Sequence, residues 1–326
     1  MSLPEERELI ALLSDGVESV RNQVGLEDDA AIVPLGNTDL VLSVDSFAAA
    51  THFPDASPPE LWGRLAVGAA LSDLAACGAD VLGVLVAYGL PACVEPDVAR
   101  RIAAGVSSAI TDHGGELLGG DTKPSREVTL SVTAVGQVPP GKALVRSKAS
   151  AGDTLIVTGP LGGAGAALER WEQGRVEEAV WRALLDPSPR LRAGRVLREV
   201  GVRCAMDLSD GLADAAVAIA EASGVRTVIE EAAIPLHPWA SAPEGVAWAL
   251  STGGDYELLA AVPASLQARA VEALERGGLS PRVVGAVEPG EGAALATNGG
   301  ERPLSRGFQH RFASAPAQRE GGGSPP

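Results

Sequence analysis

Six short segments rich in Val and Leu, each bounded by Gly, Pro or Asp, are predicted to be β-strands. They span residues 40–44, 81–88, 127–138, 154–158, 256–262 and 282–287. Apolar residues at helical spacing between them predict helices over 60–77, 96–112, 189–200, 211–222 and 265–276. Strands that alternate with helices indicate an α/β protein of the α+β type, and we expect about half of the strand pairings to be antiparallel.

The 326 residues exceed the ~250 to 300 that one hydrophobic core ordinarily holds, so two domains are expected. A stretch rich in Pro and Gly at 139–153 places the boundary between domains 1–140 and 141–312. Residues 313–326 have no apolar periodicity and are predicted to be disordered. Capping boxes at Ser2 to Glu5 and at Ser57 to Glu60 predict two helix starts, the first in place of a signal peptide.

Charge and cysteine content narrow the possible partners. The chain has 42 acidic and 26 basic residues, a net charge of −16, which argues against nucleic acid or an anionic membrane surface. A phosphate-bearing substrate would then need a metal ion between it and the protein. The three cysteines lack CxxC spacing, so neither a disulfide framework nor a zinc site is predicted. Because no apolar run reaches the ~18 residues of a membrane span, we expect a cytoplasmic protein.

A set of aspartates lies at the ends of predicted elements or inside a helix, among small and apolar residues. Its members are Asp28, Asp29, Asp45, Asp73, Asp121, Asp207 and Asp210. Taken singly, each is explained as a helix N-cap or a turn former. Asp73, however, lies inside a predicted helix among Ala and Leu, where a buried carboxylate requires a partner. Carboxylates that converge without bases repel one another unless a hard cation neutralises them, so the set predicts an Mg²⁺ site.

Two glycine-rich segments are candidates for phosphate binding. Gly119 and Gly120 would let the backbone approach a phosphate closely, although a turn also explains them. The run at 159–165 could receive an anion at a helix N-terminus, although a helix-start turn is the simpler explanation, and it lacks the Lys and hydroxyl residue of a P-loop. The residues alone therefore indicate magnesium-dependent phosphoryl transfer without identifying the substrate.

A series of motifs follows in one consistent order from near the start of the chain to about Phe312. They are Asp28-Asp-Ala-Ala31, Asp45 with Thr51-His-Phe53, Leu71-Ser-Asp-Leu-Ala-Ala-Cys-Gly-Ala79, Gly119-Gly-Asp-Thr122, Leu144-Val-Arg-Ser147, Gly152-Asp153 with Val157-Thr-Gly159, Met206-Asp-Leu-Ser-Asp-Gly-Leu212, Asp255-Tyr-Glu-Leu258 and Gly307-Phe-Gln-His310. Through these motifs the chain resembles the thiamine-monophosphate kinase family. The resemblance implies a two-domain aminoimidazole-ribonucleotide-synthetase-like fold. In that fold, the N-terminal mixed sheets of two subunits form a barrel across a homodimer, and an α/β domain follows.

The resemblance also implies roles for individual residues. Several Mg²⁺ ions would be bound by Asp29, Ser43, Asp45, Asp73, Asp121, Asp207 and Asp210. ATP would be held by Gly120, Asp121, Arg146 and Ser209, and thiamine monophosphate by His52, Gly254 and Ser305. Asp210 and Arg146 are the expected catalytic residues. The implied reaction is direct in-line transfer of the ATP γ-phosphoryl group to thiamine monophosphate, whose phosphate is already anionic and needs no general base.

Some positions depart from the family's usual residues, and they keep two other functions open. Val44 stands where the family has Thr, Gly254 stands where a substrate-side Glu is expected, and Glu27 and Lys123 also differ. One alternative is an ATP- and Mg²⁺-dependent enzyme of the same superfamily with another phosphorylated acceptor. The other is a nucleotide-binding regulatory protein whose acceptor site has decayed. Without the resemblance, His52 is explained as a surface turn residue, and Arg146 as a surface base.

Overall fold

A computed structural model describes residues 28–241 and 244–308 continuously, together with Leu9, Leu12, Leu13, Gly16, Asn22 and Val24. The capping box at 2–5 and the tail at 313–326 lie outside the described residues. Among the helices that are described, none is long and apolar enough to cross a membrane.

The first half of the chain forms a five-stranded sheet in the order β1-β2-β5-β3-β4. Its strands are β1 (Ala31–Leu35), β2 (Thr38–Ala48), β3 (Asp80–Leu90), β4 (Leu117–Pro124) and β5 (Thr129–Val138). Strand β4 runs parallel to β3 at the sheet edge, and all eight of its residues are exposed. The edge opposite β1 is therefore a long strand without cover in the single chain.

Three helices accompany this sheet: α1 (Ala49–His52), α2 (Pro59–Ala76) and α3 (Pro96–His113). Helix α2 covers one face, because alternate residues of β2 and β5, such as Val41 and Val132, are buried beneath it. The predicted capping box at this helix is wrong, since its N-cap is Pro58 without a side-chain hydrogen bond. The Ser57 hydroxyl instead accepts a hydrogen bond from the indole nitrogen of Trp62 at 2.7 Å.

The second half forms a seven-stranded sheet in the order β12-β11-β8-β10-β6-β9-β7. Its strands are β6 (Asp153–Val157), β7 (Cys204–Asp207), β8 (Arg226–Glu230), β9 (Leu258–Pro263), β10 (Arg282–Glu288), β11 (Gly292–Thr297) and β12 (Gly300–Pro303). Of the ten strand pairings in residues 28–241 and 244–308, eight are antiparallel, more than the expected half. Helices that alternate with strands do not fix strand direction, because long connections also join antiparallel neighbours.

The helices of the second half are α4 (Gly163–Glu172), α5 (Glu178–Leu185), α6 (Leu191–Val200), α7 (Leu212–Ser223), α8 (Glu244–Ser251) and α9 (Gln267–Arg276). Helix α7 packs under the second sheet and is buried along most of its length. Helix α5, by contrast, packs against the first sheet, because Trp181 and Leu185 belong to the hydrophobic core of that sheet. Helix α6 buries Ala193 and Leu197 against the end of α2. The two halves thus share apolar contacts beyond the boundary between their sheets.

The α/β fold with two mixed sheets is confirmed, and each of the six predicted strands and five predicted helices is present. The elements that the sequence did not predict are short or rich in glycine. Strand β4 contains Gly119 and Gly120, and a Cβ on Gly120 would lie 1.9 Å from the carbonyl oxygen of Val86. Gly120 is therefore required by close packing of β4 on β3.

Candidate active site

A cleft of about 400 Å³ lies where the two halves of the chain meet. The first half contributes Asp45 from β2, His52 from α1 and Asp73 from α2. The second half contributes Asp207 from the end of β7, with Ser209 and Asp210 from the turn that follows. The structure thus brings together predicted site residues that are separated by more than 150 positions of sequence.

Three of the predicted metal ligands form a tight cluster beside this cleft. One carboxylate oxygen from each of Asp29, Asp73 and Asp207 lies within 4.8 Å of the other two. Asp73 reaches the cluster from the face of α2 that packs on the sheet, and Asp29 reaches it from the turn before β1. Because β7 ends at Asp207, the strand delivers this carboxylate to the point where the two halves meet.

Serine hydroxyls orient the carboxylates of the cluster. Ser72 and Ser209 donate hydrogen bonds to the two oxygens of Asp207, at 2.7 and 2.8 Å. Ser43 on β2 donates to Asp73, the residue whose burial in a helix predicted a partner. Ser209 precedes α7 but is not its N-cap, because the cap residue is Gly211. The two serines predicted to bind metal or nucleotide, Ser43 and Ser209, thus lie on the cluster itself.

Arg146 is the basic side chain that balances part of this negative charge. Its Nε and one terminal nitrogen each donate to an oxygen of Asp29 at 3.0 Å, a bidentate pair. The Arg146 side chain is 16 % exposed and that of Asp29 only 1 %, so the pair is shielded from solvent. The backbone N–H of Arg146 also donates to Asp28 at 3.1 Å. The Arg146 guanidinium is therefore bound to a carboxylate of the same chain.

Burial and mutual repulsion raise the pKa of the carboxylates that Arg146 does not pair. Burial raises the pKa of Asp45 to about 6. Burial, with the charge of Asp29, raises the pKa of Asp207 to about 6 against the hydrogen bonds from its serines. The pKa of Asp73 lies well above its ordinary value because of burial and the charges of Asp45, Asp207 and Asp29. These groups are costly to ionise without a cation.

The donor set suits Mg²⁺. Every group in the cluster is a carboxylate or hydroxyl oxygen, the ligand type that Mg²⁺ prefers, and no histidine or thiol lies among the clustered groups. The raised pKa values of Asp45 and Asp207 indicate negative charge that the described residues do not neutralise. The residues present therefore fit a divalent cation with oxygen coordination.

The loop after α8 forms another wall of the cleft, through Thr252, Gly253, Gly254 and Tyr256. Gly254 has a φ of +84°, and a Cβ there would lie 3.0 Å from the Cβ of Ala164. Its N–H donates to the carbonyl of Ser209 at 2.7 Å. Gly254 is thus required by the backbone, and a side chain at this position is strained.

The glycine run before α4 does not present a free helix N-terminus. The carboxylate of Asp255 accepts hydrogen bonds from the N–H groups of Gly162 at 2.6 Å and Ala164 at 3.1 Å. Burial raises the pKa of Asp255 to about 6, although these hydrogen bonds lower it. The place where an anion could have bound is taken by a side chain of the protein, so the helix-start explanation of this run is correct.

Some predicted residues lie away from the cleft. Asp121 is on the exposed strand β4, where Lys123 lies 3.2 Å from its carboxylate and, with the N–H of Thr122, lowers its pKa. Gly120 lies beside it in β4, and Ser305 is exposed after β12. None of these residues lines the cleft in the single chain.

Apolar and aromatic residues that the sequence did not single out line the rest of the cleft. They are Phe47, Ala69, Ala164, Leu168, Leu184, Tyr256 and Phe308. The ring of Phe47 packs edge-on against the His52 ring at 5.1 Å. The position of Phe47, two residues after Asp45 on the same face of β2, was a usable signal for this wall. Leu168 comes from the helix whose start the glycine run at 159–165 indicated, whereas Leu184 comes from a helix that the sequence did not predict.

Comparison with known proteins gives matches over most of the chain. The AIR synthase related protein N-terminal domain matches residues 27–138, and the corresponding C-terminal domain matches residues 150–297. The thiamine-monophosphate kinase of Halobacterium salinarum is 35 % identical over 83 % of this chain and 93 % of its own. That of Synechococcus elongatus is 34 % identical over 87 % of this chain and 90 % of its own.

Solved structures match in the same way. The thiamine-monophosphate kinase of Stenotrophomonas maltophilia is 31 % identical, with a TM-score of 0.75 over 90 % of this chain and 97 % of the other. A structure described as AaThiL complexed with AMPPCP and TMP has a TM-score of 0.83 and 28 % identity, over 94 % of this chain and 97 % of the other.

Proposed function

This chain belongs to the thiamine-monophosphate kinase family, and we propose that it transfers the γ-phosphoryl group of ATP to thiamine monophosphate, giving thiamine diphosphate. The observation that carries the proposal is a cleft whose lining combines carboxylates, among them Asp45, Asp73 and Asp207, with apolar and aromatic side chains. We propose that the carboxylates take the phosphates of a substrate, at what we call the carboxylate end. The apolar and aromatic side chains are proposed to take its ring system, at what we call the aromatic end.

The carboxylate end is proposed to hold Mg²⁺ through Asp29, Ser43, Asp45, Asp73, Asp207 and Asp210. When bound, the metal ions offset the repulsion between two phosphate-bearing substrates. The protein contributes the fixed positions of the ligands, since Ser72 and Ser209 hold both oxygens of Asp207. A preorganised site of this kind stabilises charge without rearranging during the reaction.

The aromatic end is proposed to take the acceptor. His52 lies on the cleft wall, where its Nδ1 lies 2.7 Å from the Thr51 hydroxyl, and it is proposed to contact thiamine monophosphate. The acceptor phosphate is anionic at neutral pH, and therefore His52 is assigned to binding rather than to general base catalysis. Phe47 and Phe308 provide the apolar surface for the rings.

ATP is proposed to contact Ser209, which lines the cleft, and Arg146. The Arg146 guanidinium donates to both oxygens of Asp29, so the proposal gives it a contact with this carboxylate as well as one with ATP. Arg146 then has two roles in the proposal, which are to neutralise Asp29 and to stabilise the transferred phosphoryl group.

We also propose that the protein is a homodimer joined through the first sheet. The face of this sheet opposite α2 carries exposed apolar side chains, among them Val44, Leu85 and Leu82, and Val44 is 66 % exposed. Strand β4 at the edge exposes Leu117 and Leu118. An apolar sheet face beside an unpaired edge strand is the kind of surface that a second copy covers.

The dimer would explain the position of Asp121. Asp121 pairs with Ala87, which pairs with Ser131 and then Ser46, so it lies three strands from β2, about 14 Å at ~4.8 Å per strand. It therefore cannot join Asp45 within one chain. We propose that Gly120 and Asp121 complete the cleft of the partner subunit.

A mixing experiment tests this shared site. Asp121→Asn and Asp207→Asn are each expected to be nearly inactive. If Asp121 serves the partner subunit, a heterodimer of the two variants has one intact cleft, and subunit exchange restores about a quarter of wild-type specific activity. If Asp121 acts within its own chain, the mixture stays inactive, and the shared site is rejected.

The activity itself is tested with purified protein, ATP, Mg²⁺ and thiamine monophosphate. Thiamine diphosphate is measured by fluorescence after oxidation, and ADP is measured in parallel. Stoichiometric formation of the two products supports the proposal. ATP turnover with another phosphorylated acceptor but not with thiamine monophosphate would favour a different acceptor, and binding without turnover would favour a regulatory protein.

A further inference from the structure

Tyr256 has a backbone conformation that residues with a side chain avoid. Its φ is +50°, in the left-handed region, and among the described residues only Ala56 shares this with it outside glycine. Strain of this kind persists where the surrounding structure enforces it, and it is concentrated at functional sites. The position of Tyr256 on the wall of the cleft therefore calls for an explanation.

Backbone hydrogen bonds hold the strained residue in place. The N–H of Tyr256 donates to the carbonyl of Leu208 at 3.2 Å, and the N–H of Leu208 donates to the carbonyl of Glu257 at 2.8 Å. Two residues before Tyr256, the N–H of Gly254 donates to the carbonyl of Ser209 at 2.7 Å. The loop that carries Tyr256 is thereby joined to the segment that carries Asp207 and Ser209.

The two neighbours of Tyr256, Asp255 and Glu257, are held in place by hydrogen bonds to their carboxylates. Asp255 caps the N-terminus of α4. Glu257 accepts two hydrogen bonds from Arg190, at 2.8 and 2.5 Å, and one from Thr158 at 2.5 Å. Both neighbours are thus fixed in the second half of the chain, while the Tyr256 ring packs against the core of the first.

The hydroxyl of Tyr256 has no hydrogen-bond partner among the residues that the structure describes. Within residues 28–241 and 244–308, its backbone forms the hydrogen bond described above and its hydroxyl forms none. Its surroundings are negative, because the charges of Asp45, Asp207, Asp210 and Asp73 all act on the phenol. The described lining of the cleft contains no Lys or Arg, so neutral O–H groups are the donors it offers to a substrate beside His52.

We propose that the Tyr256 hydroxyl donates a hydrogen bond to a phosphate oxygen of a substrate bound in the cleft. This inference rests on the proposed function, which places phosphates beside these carboxylates. Once cations occupy the carboxylate oxygens, the substrate phosphate is the nearest remaining acceptor with negative charge. Hydrogen bonds to a charged acceptor are stronger than neutral ones, and a donor fixed in advance needs no rearrangement. The strained backbone is the means by which the fold aims this donor.

Tyr256→Phe tests the proposal, because it removes the hydroxyl and retains the ring. We expect kcat to fall by about 10- to 100-fold with an unchanged melting temperature. The matched control is Tyr88→Phe, since Tyr88 also packs its ring against the first core but does not line the cleft. Its activity should equal that of the wild type. Wild-type kcat and KM in Tyr256→Phe would overturn the proposal, and so would a loss of activity accompanied by a comparable loss of melting temperature.

A spectroscopic measurement separates a donor from a packing group. The chain has two tyrosines, so fluorotyrosine incorporated into Tyr88→Phe reports on Tyr256 alone. We expect its ¹⁹F resonance to shift when ADP and thiamine monophosphate are added to protein saturated with Mg²⁺. No shift, or the full shift with Mg²⁺ alone, would overturn the proposal. Failure of the proposed function is distinguishable, because wild-type protein would then form no thiamine diphosphate.

Discussion

The cleft and strand β4 both carry aspartates expected to bind the same metal ions, yet their environments are opposite. Asp73 and Asp207 are enclosed beside other carboxylates, and both have a raised pKa. Asp121 lies on an exposed edge strand beside Lys123, and its pKa is lowered. Among the described residues, neither Asp73 nor Asp207 forms an ion pair with Lys or Arg, whereas Asp121 forms one with Lys123. The comparison shows that one chain brings most of the predicted aspartates together in the cleft but leaves Asp121 apart, and the proposed homodimer is what would give β4 a role in the site.

The largest expected effect is on the cleft. Asp207→Asn keeps the shape of the residue and one of the two oxygens that accept from Ser72 and Ser209, but it removes a charge that is proposed to hold Mg²⁺. We expect kcat to fall by about 100-fold or more, with a folded protein by circular dichroism. The control is Asp97→Asn, since Asp97 forms an exposed ion pair with Arg100 far from the cleft. Normal turnover of Asp207→Asn at limiting Mg²⁺ would remove Asp207 from the metal site.

The next effect is the response of stability to Mg²⁺ and pH. The pKa of Asp45 and Asp207 is about 6 and that of Asp28 about 7, against 3.8 ordinarily. Between these values the folded protein binds more protons than the unfolded chain, so without metal its stability falls as pH rises through about 4 to 7. Bound Mg²⁺ would counteract this loss of stability, because it neutralises the ionised carboxylates. We expect Mg²⁺ to raise the melting temperature by several degrees at pH 8 and by much less at pH 5. An equal gain in melting temperature at pH 5 and pH 8 would contradict Mg²⁺ binding at these carboxylates.

A smaller effect isolates repulsion within the cluster. Asp73→Asn removes a carboxyl group that is crowded by the charges of Asp45, Asp207 and Asp29, and it retains an oxygen that can accept from Ser43. We expect the metal-free protein to gain a few degrees in melting temperature and to lose most of its response to Mg²⁺. Asp39→Asn is the matched control, because Asp39 is also buried but accepts from the N–H of Gly141 outside the cluster. A fall in melting temperature for Asp73→Asn would make Asp73 a structural residue.

The smallest effect on stability is expected on β4. Asp121 forms an exposed ion pair with Lys123, and such pairs contribute little. Asp121→Asn should therefore change the melting temperature of the metal-free protein by no more than about 1 °C, although it abolishes turnover in the partner's cleft. Differential scanning fluorimetry beside the kinetic assay checks both. A large loss of stability would show that Asp121 supports β4 itself.

The sequence predicted the parts of the fold that follow from periodicity. Strands such as β5 and helices such as α2 were found because their apolar residues repeat over many positions. Strand β4 was missed because its glycines are selected by the approach of β3, a contact that no local pattern records. The predicted capping box at Ser57 is wrong for a similar reason, since the Ser57 hydroxyl accepts a hydrogen bond from the Trp62 side chain.

The site was predictable in its chemistry and not in its geometry. The position of Asp73 inside an apolar helix correctly indicated a partner, and that partner is Ser43. The pairing of Arg146 with Asp29 joins residues 117 positions apart, so spacing could not predict it. Likewise, the positive φ of Tyr256 depends on hydrogen bonds to Leu208, and no propensity of tyrosine indicates it.

The packing of α5 against the first sheet bears on how the chain folds during synthesis. Trp181 and Leu185 complete the core beneath β2 and β5, although the strands of that sheet end at Val138. A ribosome that has released the first sheet has therefore not yet released the residues that close it. Until α5 is synthesised, the nascent sheet exposes the apolar surface that Trp181 and Leu185 later cover. A chaperone that binds apolar segments can bind this surface during that interval. Folding of the N-terminal half is thus completed only after the C-terminal half has begun to appear.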